Sequence, residues 1–163
     1  MTDVTITVLP AAPLHALEIW SNPAAVATRF KKAGGFALPA IGRSDGSDAL
    51  RLIRYEPTVW LVEGDVSALP GILADDGALT AIGGSIVRVQ LSGKGWRTLL
   101  MEGGVFDAEN PNFASGCSAA TMIDHVNVRL HVVDDDTCHA YVPLSYSEAM
   151  IHFWKTAALS LTL

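Results

Sequence analysis

At 163 residues and 17.3 kDa, with half of its residues hydrophobic, the chain can bury a core without disulfide staples, which excludes a disordered protein. Its formal charge is −6 and its longest basic run is Lys31-Lys32, which excludes nucleic acid and anionic membrane as partners. No apolar run approaches the roughly 20 residues that cross a bilayer. The chain opens on polar alternation around Asp3 where a leader would carry a basic and then an apolar stretch, so a cytoplasmic protein is expected.

In chain order, Val4-Thr5-Ile6-Thr7-Val8 alternates with period two and predicts a short strand that Pro10 and Pro13 end. Leu14, Leu17, Ile19 and Trp20 then form a proline-bounded amphipathic piece, so residues 1–22 read as an N-terminal docking segment. Asn22 at a cap, Pro23 at the first helical position, Lys31 and Lys32 in the last turn and Gly34 at the end mark a helix. Residues 42–48 read as a loop. Leu50 to Arg54 and Thr58 to Val62 predict two strands around the Glu56-Pro57 turn, and a helix follows from Asp65 to about Leu73.

Ala78 to Ile82 and Ile86 to Leu91 read as strands on either side of Gly83-Gly84. Ser92-Gly93 opens a helix in which Trp96, Leu99 and Leu100 share a face and which Gly103-Gly104 closes. Strands are expected near Ser118 to His125, Asn127 to Val133 and Thr137 to Val142. Ser145-Tyr146-Ser147-Glu148 has the capping-box pattern, so the last helix is expected to begin at Ser145. The tail, 158–163, is apolar, and with the N-terminal segment it predicts an oligomer or a complex subunit. Runs of strands interrupted by single helices predict an α+β fold, one domain over 1–163, with helices packed on a mixed or antiparallel sheet.

Most of the chemistry-bearing residues gather around one hairpin. His131 and His139 could share a metal across the Asp134-Asp135-Asp136 turn, yet no HxH, HExxH or Cys/His ligand spacing accompanies them. The expected reading is therefore two histidines on a solvated strand face, with no metal. The three aspartates suit a solvated turn, because an Asp side chain caps nearby backbone N–H groups. Cys117 and Cys138 are too few for a disulfide framework and lie in no CxxC pair, so both are expected reduced and structural. His139 adjoins Cys138, but neighbours on a strand point to opposite faces. Gly83-Gly84-Ser85 lacks the closing glycine of a nucleophile elbow, and Gly93-Lys94-Gly95 completes no phosphate-loop pattern.

One ordered set of residues carries a resemblance. It consists of Phe36-Ala37-Leu38-Pro39 before Gly42-Arg43; the strand Trp60-Leu61-Val62; Gly84-Ser85 leading through Val87 to Gly93 into the Trp96-Leu99-Leu100 helix; and Tyr141-Val142-Pro143-Leu144-Ser145-Tyr146-Ser147. Over Pro23 to Ala157 the chain resembles the gamma subunit of heterotetrameric sarcosine oxidase. That family is related to the folate-binding domain of aminomethyltransferase, the glycine cleavage T-protein.

The resemblance implies a complex that oxidises sarcosine or a related N-methyl amine to glycine, coupled to one-carbon transfer. Its large flavin-bearing partner subunits carry FAD, FMN, NAD and the tetrahydrofolate site. In this chain it implies the folate-binding type of fold with no catalytic residue, no metal and no cofactor. Laid without gaps on the hairpin, the T-protein pattern Gly-Gly-Ile-x-Asp-Asp-Leu puts its second acidic position, which meets folate, on Asn127, with Asp124 nearby. An amide cannot supply a carboxylate there. The alternative is a free-standing folate-binding or aminomethyltransferase-like protein that self-associates as a homo-oligomer.

Overall fold

The computed structural model of the chain describes residues 3–161. Its elements are β1 (Thr5–Val8), β2 (Leu14–Ile19), α1 (Pro23–Gly34), β3 (Ser44–Gly46), β4 (Leu50–Arg54), β5 (Val59–Gly64), α2 (Leu69–Leu73), β6 (Gly77–Ala81), β7 (Ile86–Ser92), α3 (Trp96–Met101), β8 (Ser118–Ile123), β9 (Val126–Asp134), β10 (Thr137–Pro143) and α4 (Ser147–Leu161). Single 3₁₀ turns at Gly83–Ser85 and Leu144–Tyr146 lead into β7 and α4. The fold is α+β as expected, and every strand pair in it is antiparallel. Two compact units divide the chain: residues 12–83 form one, and residues before 12 join those from 84 onward in the other.

In the first unit the strand order is β3-β4-β5-β2-β6. The segment expected to dock on a partner is here an inner strand: β2 pairs with β5 on one side and β6 on the other, setting Leu17 opposite Trp60 and Leu79. Leu17 and Ile19 face the core beneath α1 and α2, and Leu14 is buried on the other face of the sheet. Leu14 is buried on one face while Leu17 and Ile19 are buried on the other, and this switch of face is why the sequence looks like a helical or docking piece. Trp20, just past the strand, remains largely exposed, and its indole N–H donates to the Asp75 carbonyl. The loop expected over 42–48 contains the three-residue edge strand β3, and α2 begins at Leu69 because Asp65 is spent on a turn, accepting from the Ser67 N–H.

Asn22 stands before α1 as expected, but in the left-handed region at φ 45°, and its side chain makes no cap. Its amide donates instead to Asp76 Oδ1 at 2.8 Å, beside the Ser21 hydroxyl at 2.7 Å. Arg29, one and a half turns into the helix, reaches the second carboxylate oxygen at 2.7 Å and also donates to the carbonyls of Ile72 and Leu73. Asp76 thereby ties both ends of the α1 entry to the α2–β6 turn. The Arg29, Ser21 and Asn22 donors hold its carboxyl at about 2, below the ordinary 3.8.

In the second unit the order is β1-β7-β10-β9-β8. Val126, Val128, Leu130 and Val132 of β9 alternate into a core shared with Val89 and Leu91 of β7 and Cys138, Ala140 and Val142 of β10. Trp96, Leu99 and Leu100 of α3 and Met150 and Trp154 of α4 complete that core. The Trp96 indole N–H donates to the Asp135 carbonyl at 3.0 Å, and the Arg97 guanidinium lies 4.2 Å over the same ring. Arg97 also donates to the Ala108 and Phe113 carbonyls and so holds the loop that follows α3. The helix ends at Met101, and Gly103 in the turn beyond it stands at φ 66°, where a Cβ would lie 2.7 Å from the Phe153 ring.

The last helix begins at Ser147, not Ser145, because the 3₁₀ turn occupies Leu144–Tyr146 and the Ser147 hydroxyl bonds the Leu144 carbonyl. The apolar tail continues this helix through Leu161, which packs on the core, while Leu159 is exposed. Thr162 and Leu163 lie outside the described residues.

Because Asp76 titrates lower in the folded chain than in the unfolded one, its contribution is complete above about pH 4 and is lost as the pH falls toward 2. Asp76→Asn should lower the urea midpoint at pH 7 and flatten the acid side of the stability profile. Urea titrations of both proteins between pH 7 and pH 2 measure this.

Candidate functional site

The hairpin of β9 and β10 sorts its side chains strictly by face. His131 and His139 stand directly opposite each other, with ring centroids 6.4 Å apart, on the face away from α3 and α4. His139 Nε2 lies 3.3 Å from Gln90 Oε1 on β7. His131 is 1% exposed, so the expectation of a solvated face is corrected for this residue: the polar face of the sheet is itself covered at its middle strands, where Tyr141 is also buried. Among the described residues no group of three or more His, Cys, Asp or Glu side chains is placed to hold a metal ion.

Cys138 points the other way, into the core, and neighbouring His139 cannot activate it. Burial pushes its thiol up to about 12. Cys117 is also buried, and its thiol meets the Asn112 carbonyl. Both cysteines are free, as expected.

The three aspartates serve the turn. Asp134 Oδ1 accepts from the Asp136 N–H at 2.9 Å, the Asp136 carbonyl accepts from Gly93, and the Asp135 carbonyl takes the Trp96 indole. They anchor the hairpin tip to the start of α3 rather than facing a common ion.

Asn127 and Asp124 lie at the opposite end of β9. Asp124 and His125 form a two-residue turn with φ 44° and 66°, which shortens the expected strand from Ser118–His125 to Ser118–Ile123. Asn127 follows on β9, exposed and opposite Met122. Asn127, Arg129 and His131 share one face but step along the strand, so Asn127 and the histidine pair do not converge. The tightest cluster of charged and polar side chains described, Asp76 with Arg29, Ser21 and Asn22, was not singled out by motif. Its one sequence signal is Asp75-Asp76 between a short helix and a glycine.

A native thiol held this high stays protonated. Cys138 should resist a thiol-specific reagent at pH 8 in the folded chain and react at once in urea. Stability should fall as the pH rises above 9, where only the unfolded thiol ionises. Thiol counting with and without urea measures the first and alkaline urea titration the second.

No protein-family model and no curated protein matches the sequence. Solved structures do match the fold. A chain of the heterotetrameric sarcosine oxidase from Corynebacterium sp. U-96, solved with pyrrole 2-carboxylate, superposes with a TM-score of 0.87 at 18% identity, over 98% of this chain and 86% of that one. The glycine cleavage system aminomethyltransferase T from Bartonella henselae gives 0.60 at 14% identity, over 94% of this chain but 45% of that one, so this chain spans under half its length. The chain therefore has the fold of a chain of heterotetrameric sarcosine oxidase and of part of aminomethyltransferase T.

Proposed function

We propose that this chain is a non-catalytic, gamma-type subunit of a sarcosine oxidase-like complex. The complex oxidatively demethylates sarcosine or a related N-methyl amine to glycine and passes the methyl carbon to tetrahydrofolate. In this reading FAD, FMN, NAD and tetrahydrofolate belong to large partner subunits, and this chain supplies fold and contact surface.

The observation that carries the reading is the contrast in coverage. The match to the oxidase takes in 86% of its chain, so the counterpart there is a small polypeptide matched nearly end to end, whereas the transferase is matched over 45% of its length. The side chains agree with it. Cys138 is protonated and buried, the Asp134–Asp136 groups are committed to a turn, and Asn127 has an amide where the transferase pattern has a carboxylate.

Purification from the native source under mild conditions should bring down flavin-bearing large subunits with this chain. Titration of the isolated chain with a reduced folate should give no binding tighter than about 1 mM. Micromolar folate binding by the isolated chain would overturn the reading in favour of a free-standing folate protein.

A further inference from the structure

Two Asp-Gly pairs stand in the chain, Asp45-Gly46 and Asp76-Gly77, and there is no Asn-Gly. A glycine after an aspartate leaves its nitrogen uncrowded, so the side-chain carboxyl can close on that nitrogen as a five-membered imide. By sequence the two pairs are equivalent. The fold separates them.

Asp76 is held at each group the closure would use. Its carboxylate accepts from Ser21, Asn22 and Arg29 at 2.7, 2.8 and 2.7 Å, and these donors keep it at about 2. At pH 5 it is therefore an anion, with no hydroxyl that can leave as water. The Asp76 carbonyl accepts from the N–H groups of Trp20 and Ser21 at 3.0 and 3.2 Å, which fixes the plane of the Asp76–Gly77 peptide. Turning the carboxyl onto the Gly77 nitrogen would break these bonds first.

Asp45 lies on β3, the three-residue edge strand of its sheet, and both it and Gly46 are exposed. The Ser47 N–H donates to the Leu50 carbonyl and the Arg54 N–H to the Arg43 carbonyl, which sets the parity of the β3–β4 ladder. Asp45 thus exchanges backbone bonds with Leu52, and the Gly46 N–H turns away from β4. That N–H meets Asp45 Oδ1 at 2.7 Å. The carboxyl already rests against the nitrogen that would attack it, and the attack breaks no ladder bond. The glycine is also required there: it stands at φ 116°, and a Cβ would lie 2.2 Å from the Leu50 carbonyl oxygen.

We propose that Asp45 is a site of spontaneous isomerisation to isoaspartate, and that the Arg29–Asp76 network keeps the second Asp-Gly pair from the same reaction. The Gly46 nitrogen bonds to Asp45 Cγ, its proton and the carboxyl hydroxyl leave as water, and the imide forms. Water then adds back and opens one of the two ring C–N bonds. Opening at Cγ restores aspartate. Opening at the original peptide carbon leaves the chain running through Cβ and Cγ, with the former backbone carbonyl carbon as a free carboxylate. Nothing is oxidised or reduced, and the product has the mass of the starting chain. One extra backbone atom enters β3, which breaks the Asp45–Leu52 pair and frees the edge from β4. This chemistry goes beyond the complex proposed above and does not depend on it.

The full chain is incubated at pH 5 and 37 °C, folded and in urea, and isoaspartate is assigned by electron-transfer fragmentation of its peptides. In the folded chain residue 45 should convert at least tenfold faster than residue 76, whereas in urea the two rates should fall within about threefold of each other. Asp45→Glu, which could close only a six-membered ring, should yield no isomer at 45. Arg29→Ala should raise the rate at 76 and leave that at 45 unchanged. The purified isomer should exchange its Leu52 amide hydrogen faster than the unmodified chain, with Leu17 unaltered. An Asp45 that stays intact in the folded chain, conversion at 76 that keeps pace with 45, or an unchanged rate at 76 in Arg29→Ala would overturn the proposal.

Discussion

Burial of the alternate residues of β9 is the constraint on which the second unit depends. Val126, Val128, Leu130 and Val132 all enter the core beneath α3 and α4. Each is worth about 1.5–3 kcal/mol on burial, and a slip of one residue would turn all of them outward together. Neither the histidine contact nor the aspartate turn offers energy on that scale, since a net hydrogen bond contributes only about 1 kcal/mol. Core packing therefore sets the register, and the polar residues take the places it leaves them.

The fate of the chemistry-bearing residues follows from that register. With Leu130 and Val132 inward, His131 must face away and meet His139, while Cys138, opposite Val132, must go inside. A thiol and an imidazole adjacent in sequence are thereby sent to opposite sides of one sheet. The turn beyond them is free to serve α3, and it does so through the Asp135 carbonyl and the Trp96 indole. The face sorting that builds the core keeps cysteine, histidine and aspartate from forming one centre.

Period-two alternation made β7, β9 and β10 legible in the sequence, because each buries one face in a helix-covered core. β2 was illegible for a different reason: Leu14 is buried on one face and Leu17 and Ile19 on the other, so no single alternation runs through the strand. The 3₁₀ turn before α4 and the left-handed Asn22 show a further limit. A capping box and a cap residue were present in the sequence, yet Ser147 bonds Leu144 and Asn22 bonds Asp76 instead. Such choices rest on partners distant in sequence, as does the whole Arg29–Asp76 network. At the candidate site, the direction of Cys138 followed from strand geometry, whereas the burial of His131 required knowing that the polar face is covered.

Under the function proposed above, the hairpin serves the fold and its surface, with no part in a reaction. This is tested most directly by the turnover of the assembled flavin complex carrying Asn127→Ala and His139→Gln in this chain. If the account holds, kcat per assembled complex stays within about twofold of the unmodified complex. A loss of more than tenfold in kcat, with assembly and flavin content intact, would contradict it.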